Sequence, residues 1–304
     1  MGTPDFAVPT LFALCQSRHK VVRVVTQPDR PKGRGRRLAR PPVKTAALDL
    51  GVQVVQPPNL KNAGFMEELT DLRPDVLVVV AFGRILSRPV LELPCFGAVN
   101  LHASLLPKYR GPAPIQWAIV NGEAESGVTS MKMDAGLDTG DMLIKRATPI
   151  TAQDTAQSLH DRLAEMGAEV MVQTLDKLAG HDIRPVPQDH GAATYAPMLK
   201  KSDGKIDWTL PAQKLDCFIR GMTPWPGAFT FCGNTRLRIL SAEPVAGSPK
   251  APPGTVLRPG PHLLEVVTGD GRLRIDQLQG ASGKRLCSSD YLAGNPVEQG
   301  TCLI

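Results

Sequence analysis

The chain has 304 residues, 42% of them hydrophobic, enough for two globular cores and too apolar for a disordered chain. No run approaches the ~18 apolar residues of a membrane span. Met1-Gly2-Thr3-Pro4-Asp5-Phe6 carries no basic stretch followed by an apolar one, so no secretory signal or membrane is expected.

The net charge of +6 is local. Residues 27–44 hold seven bases (Arg30, Lys32, Arg34, Arg36, Arg37, Arg40, Lys44) against one acid, Asp29, which equals the balance of the whole chain. A concentrated positive segment favours docking to a polyanion over general solubility. The six cysteines are scattered without a Cys-x-x-Cys pair, as expected of reduced thiols in a cytoplasmic protein, and no metal site is expected.

In chain order, residues 8–18 read as a helix and Val21–Val25 as a buried strand. The basic segment follows, a loop punctuated by Gly33, Gly35 and Pro41-Pro42. Residues 43–50 and 62–71 read as helices around a strand at Val52–Val55. Asp75–Ala81 is a continuous apolar run, the mark of a parallel strand covered on both faces. Strands are further expected at 97–104, 127–134 and 142–150. From Asp154 to about Ala179 the pattern is a long helix, with Leu159, Leu163, Met166 and Val170 on one stripe. This alternation predicts an α/β domain, doubly wound around a mostly parallel sheet, over residues 1–184.

Residues 185–202, poor in aliphatics and broken by proline and glycine, read as a linker. Residues 203–304 carry short β-like runs between Pro and Gly, which suggests a small β-barrel. Alternation at Arg236/Arg238 and Arg272/Arg274 would set pairs of positive charge on strand faces.

Asn100-Leu101-His102-Ala103-Ser104-Leu105-Leu106-Pro107-Lys108-Tyr109-Arg110-Gly111 holds the candidate chemistry. Residues two apart on a strand share a face, so Asn100, His102 and Ser104 point into one space. An amide donor that cannot titrate beside an imidazole that can is a pair suited to an oxyanion and a proton. Two satisfied polar groups at a strand end is the plainer alternative. Tyr109 and Arg110 either read a substrate or clamp the turn. Asp134, Asp138 and Asp141 follow in a glycine-flanked stretch where the residues alone do not choose among them.

These motifs together resemble the folate-dependent formyltransferases, and among them the branch acting on aminoacyl-tRNA. The resemblance runs from Gly2-Thr3-Pro4-Asp5-Phe6-Ala7 through Thr26-Gln27-Pro28-Asp29-Arg30-Pro31 and Leu137-Asp138-Thr139-Gly140-Asp141 to Pro224-Trp225-Pro226. It implies transfer of a formyl group from 10-formyltetrahydrofolate, without a metal, to the α-amine of methionyl initiator tRNA. It maps the catalytic trio onto Asn100, His102 and Asp138, and an OB-like barrel that aids tRNA binding onto residues 203–304. The pterin pocket maps onto Phe82, Gly83, Ile85 and Leu86 together with Ser104, Leu105, Leu106 and Pro107. The acceptor stem maps onto the basic segment, Arg34 foremost. A cytoplasmic monomer is expected.

The resemblance also implies a hydrophobic strand ahead of Gly2-Thr3-Pro4. The chain starts where that strand should have ended, giving the expectation that the natural start lies a few residues upstream. A formyltransferase acting on a sugar-nucleotide amine shares the Asn100–Gly111 motif and is the second reading; a tRNA-binding protein without catalysis is the third.

Overall fold

The computed structural model describes residues 1–32, 37–60, 62–247 and 250–304. The chain divides into two units. Met1–Pro114, Ser126–Thr148 and His160–Ala196 form the first, and Ile115–Glu125, Pro149–Leu159 and Pro197–Ile304 the second.

The first unit contains helix α1 (Val8–Gln16), strand β1 (Val24–Val25) and a hairpin of β2 (Arg30–Lys32) and β3 (Arg37–Ala39). Helix α2 (Pro42–Asp49), β4 (Val54–Val55), α3 (Ala63–Leu72), β5 (Leu77–Val80), α4 (Arg88–Glu92) and β6 (Ala98–His102) follow. Helix α5 (Pro114–Val120), which past Pro114 belongs to the second unit, separates these from β7 (Glu125–Lys132), β8 (Met142–Pro149) and the long helix α6 (Ala156–Ala179). Strands β1 and β4 pair in parallel, as do β5 and β6, whereas β6 and β7 are antiparallel. The sheet order is β5-β6-β7-β8, so the expected parallel character holds in the first half of the unit and reverses after β6. Apolar residues of β5, α3 and α4, with Val25, Phe82 and Leu86, pack into one core.

Residues 1–3 occupy the ladder position between β1 and β5, with Gly2 bridging Val80 in parallel and its N–H donating to Val25 O at 3.1 Å. The Met1 amine donates to Val78 O at 2.6 Å, and Val80 N–H donates to Met1 O at 2.9 Å. Beyond Met1 the edges of residues 21–25 and 74–78 flank an apolar cavity of about 370 Å³, also lined by Leu11, Leu14 and Leu175. Strands β1 and β4 are two residues each, shorter than the runs 21–25 and 52–55 predicted, because pairing exists only at that end.

Burial lowers the Met1 amine from 8.0 to about 5.

The second unit is built on α7 (Ala212–Met222) and the strands β9 (Phe229–Cys232), β10 (Thr235–Val245), β11 (Val256–Leu257), β12 (Glu265–Val267), β13 (Arg272–Gln279) and β14 (Arg285–Cys287), with α8 (Ser288–Gly294) after them. The antiparallel order is β11-β12-β13-β10-β9, and β14 joins β13. The chain end closes the sheet: Phe231 and Ile304 exchange backbone hydrogen bonds at 2.8 and 3.0 Å, and Leu303 N–H donates to Gly254 O at 2.8 Å. This stitches the two sheet edges into the barrel that the short strands predicted, around buried Leu237, Ile239, Val256, Leu264, Leu273 and Ile275.

Two structural findings correct the sequence reading. Arg272 and Arg274 are not free positive charge, because they pair with Glu265 at 2.8 Å and with Glu243 and Asp276 at 2.5 and 2.9 Å. Cross-strand neighbours in β10 and β12 supply Glu243 and Glu265, a register that composition does not reveal, and Asp276 lies two residues along β13 itself. Residues 186–196 are also no free linker. Val186 and Met142 exchange backbone hydrogen bonds at 2.9 and 2.8 Å, and Arg110 N–H donates to Thr194 O at 2.9 Å. The segment is a strap along the first unit, bridging the start of β8 at Met142 and the turn after β6 at Arg110.

Candidate active site

Strand β6 is buried along its whole length and places Asn100 opposite Met131 and His102 opposite Thr129 of β7. His102 Nε2 lies 2.8 Å from the Tyr109 carbonyl, a contact that requires a proton on Nε2. Nδ1 is therefore the nitrogen left to gain or lose a proton. It faces Asp138 Oδ2 at 3.7 Å, an ion-pair distance once the ring is protonated. The same Oδ2 accepts Gly111 N–H at 2.8 Å. Asn100 is only 9% exposed as a residue, and its side-chain amide is not among the buried polar atoms left without a partner. The strand's alternation sets that amide on the same face as His102, where its N–H can donate to a ligand oxygen.

The turn after β6 is held from β7. Thr129 hydroxyl donates to Ser104 O at 2.7 Å and accepts Leu106 N–H at 3.2 Å. Ser104 hydroxyl donates to Lys108 O at 2.6 Å, which occupies it within the turn. Gly111 has φ +112°, and a Cβ there would meet the Tyr195 ring at 2.6 Å and Ala196 O at 2.8 Å. Only glycine lets its N–H reach the Asp138 carboxylate.

Asp134 accepts Gly136 N–H and the Thr139 hydroxyl, so it serves the turn. Gly140 packs against Lys132 O, 1.7 Å from where a Cβ would sit, so the close approach at this glycine is internal to the loop. Arg110 is a clamp: its Nε and Nη2 donate to Gln188 Oε1 at 3.0 and 2.7 Å, and Nη2 lies 3.2 Å from His190 Nδ1.

The residues mapped to the pterin pocket divide by exposure. Phe82, Leu86, Ser104 and Leu106 are buried, Leu105 and Pro107 half-buried, and Gly83 and Ile85 exposed. Gln27 Nε2 donates to Phe82 O at 2.8 Å and Gly83 O at 3.2 Å, bracing this loop from the base of the basic hairpin. The 370 Å³ cavity is a separate feature, since none of Asn100, His102 and Asp138 lines it.

The basic segment is a hairpin with Arg30 and Arg40 exposed. Arg34 and Arg36 lie outside the described residues, as do the side chains of Lys32 and Arg37. Lys44 is engaged: its ammonium donates to both oxygens of Asp29 at 2.9 Å and to Gln56 Oε1 at 2.6 Å. Lys44 and Gln56 hold the Asp29 carboxyl below the usual carboxylate range. Sequence reasoning missed Gln27, Thr129, Gln188 and Thr194. Each is a lone polar residue whose partner lies far along the chain, so no local signal marks it.

The Formyl transferase family model matches residues 1–175, and that of the Formyl transferase C-terminal domain matches residues 198–296. The chain belongs to the formyltransferase family. Relatives of this formyltransferase include the methionyl-tRNA formyltransferase of Citrifermentans bemidjiense, 50% identical over 303 residues, spanning 100% of this chain and 95% of that one. That of Caldanaerobacter subterraneus is 48% identical, spanning 100% of this chain and 98% of its own. Among solved structures, an N-formyltransferase from Helicobacter canadensis, in complex with folinic acid and dTDP-3-aminofucose, is 20% identical with a TM-score of 0.69. It covers 90% of this chain and 96% of its own, and shows the shared fold.

Proposed function

We propose that this formyltransferase moves the formyl group of 10-formyltetrahydrofolate to the α-amino group of methionyl initiator tRNA, acting as a cytoplasmic monomer. The observation that carries the reading is the pairing of His102 Nδ1 with the Asp138 carboxylate at 3.7 Å, beside Asn100 on the same strand, in a chain matched end to end by methionyl-tRNA formyltransferases. No helix among the described residues is long and apolar enough to cross a membrane.

The folate supplies an activated one-carbon acyl group. Asn100 donates its amide N–H to the oxygen that becomes negative as the amine adds to the formyl carbon. Asp138 accepts the proton that the attacking amine sheds, directly or through one water, and balances charge on the ring beside it. His102, with Nε2 committed to Tyr109, presents Nδ1–H to the oxyanion and then to the departing folate nitrogen. One C–N bond forms and one breaks, and the proton lost by the amine is matched by the proton gained by the folate nitrogen.

The hairpin would contact acceptor-stem phosphates through Arg30, Lys32, Arg34, Arg36, Arg37 and Arg40. Lys44, engaged with Asp29 and Gln56, would fix its base. Phe82, Gly83, Ile85 and Leu86 would wall the pterin against the Ser104–Pro107 turn. Arg236, stacked 3.8 Å from the Phe229 ring centroid, and Arg238 would give the barrel its auxiliary tRNA contact. Burial, then neighbouring Arg285 and Arg236, lowers the Arg238 pKa, a like-charge cluster suited to phosphate.

Acceptor specificity tests the reading. Purified protein with 10-formyltetrahydrofolate should formylate methionine-charged initiator tRNA and leave elongator methionyl-tRNA largely unmodified. Preference for an amino-sugar nucleotide would replace this reading with the sugar one, and no transfer to any acceptor would remove the enzymatic reading.

A further inference from the structure

Gln188 is 5% exposed and uses all four of its hydrogen-bonding positions. Its Oε1 accepts twice from the Arg110 guanidinium, at 3.0 and 2.7 Å. Its Nε2 donates to Asp138 O at 2.9 Å and Gly140 O at 2.7 Å. One side chain thus ties the loop that carries the catalytic carboxylate to the turn that carries Gly111 and Tyr109.

That link matters because both ends touch the reacting groups. Asp138 sits in the left-handed region, φ +53°, a conformation that a non-glycine residue keeps only when its surroundings impose it. Tyr109, also left-handed at φ +59°, offers the carbonyl that fixes the His102 tautomer. The Tyr109 N–H is in turn held by Thr194 Oγ1 at 2.8 Å, six residues beyond Gln188 on the same strap.

We propose that Gln188 is a positioning residue for the formyl-transfer step: by bridging Arg110 to the Asp138 and Gly140 carbonyls it sets the carboxylate of Asp138 against His102 Nδ1. The inference rests on the catalytic assignment of Asp138 made above. It gives the strap a role in chemistry that its composition, read as a linker, did not announce.

Two variants separate its halves. Gln188→Glu keeps the acceptor for Arg110 and loses the donor to the loop, whereas Gln188→Leu loses both. Each is expected to lower kcat about 30-fold while KM for folate and tRNA stays within about threefold, as misplacement of a catalytic group affects the transition state more than binding. The deciding readout is coupling. In an Asp138→Asn background, Gln188→Glu should lower kcat no further, because the carboxylate it positions is gone. A purely structural role would instead lower kcat by the same factor in both backgrounds, and that additivity would overturn the proposal. An unchanged kcat in Gln188→Glu would overturn it as well. If the leucine variant fails to fold, the glutamate variant still decides. Should Asp138→Asn itself leave kcat intact, the catalytic assignment falls; a normal loss in Asp138→Asn with no coupling to Gln188 overturns this inference alone.

Discussion

Replacing His102 with alanine, or Asp138 with asparagine, is expected to lower kcat for formyl transfer about a thousandfold, ~4 kcal/mol of barrier, with KM changed only a few-fold. The effect follows from geometry. Nε2 of His102 is bound to Tyr109 O, so Nδ1 alone can present a proton to the reacting atoms, and alanine removes it. Asparagine at 138 keeps an oxygen for Gly111 N–H but loses the charge that faces Nδ1 at 3.7 Å, and with it the proton acceptor. Asp138 and His102, paired at 3.7 Å, act as one relay from the amine to the folate nitrogen, and loss of either member breaks it, so the double variant should be little worse than either single one. Steady-state kinetics on the three variants checks this. Multiplicative losses would mean that the two groups act on separate steps.

Replacing Arg30, Arg34, Arg36 and Arg40 together by glutamine is expected to raise KM for the tRNA substrate roughly a hundredfold at low salt, with kcat nearly unchanged. The estimate takes about 0.7 kcal/mol for each screened charge pair. Arg30 and Arg40 are exposed to solvent, whereas the Lys44 ammonium is hydrogen-bonded to the Asp29 carboxylate. Removing one arginine from a phosphate should also shallow the dependence of log kcat/KM on log salt by about 1. Measuring kcat/KM from 50 to 300 mM salt for wild type and variant tests it. Parallel salt curves would mean that the hairpin does not touch the nucleic acid.

The sequence made β6 and its two polar residues legible because a strand's period of two is visible in any five residues, and Asn100 and His102 break an otherwise apolar run. Local charge on the hairpin was equally plain from composition. Asp138 was not distinguishable from Asp134 by residues alone, since all three local acids sit in turn-forming sequence. The structure separates them by partner, a turn hydroxyl for Asp134 and a backbone amide with a histidine for Asp138. Gln188 and Thr194 stayed hidden for a different reason. Their roles depend on loops 50 and 85 residues away, and nothing periodic marks a strap held by scattered single contacts. The neutralised Arg272 and Arg274 belong to the same class, because register across β10, β12 and β13 decides which acid meets which base.

A single-turnover formylation of methionine-charged initiator tRNA, run by rapid quench with excess enzyme and 10-formyltetrahydrofolate, most directly tests whether the Asn100–His102–Asp138 site performs the transfer. Wild type should convert the tRNA in one exponential phase, and Asn100→Ala should slow that phase by about a hundredfold or more, as expected for loss of an oxyanion donor. An Asn100→Ala rate equal to wild type would place the chemistry elsewhere in the chain.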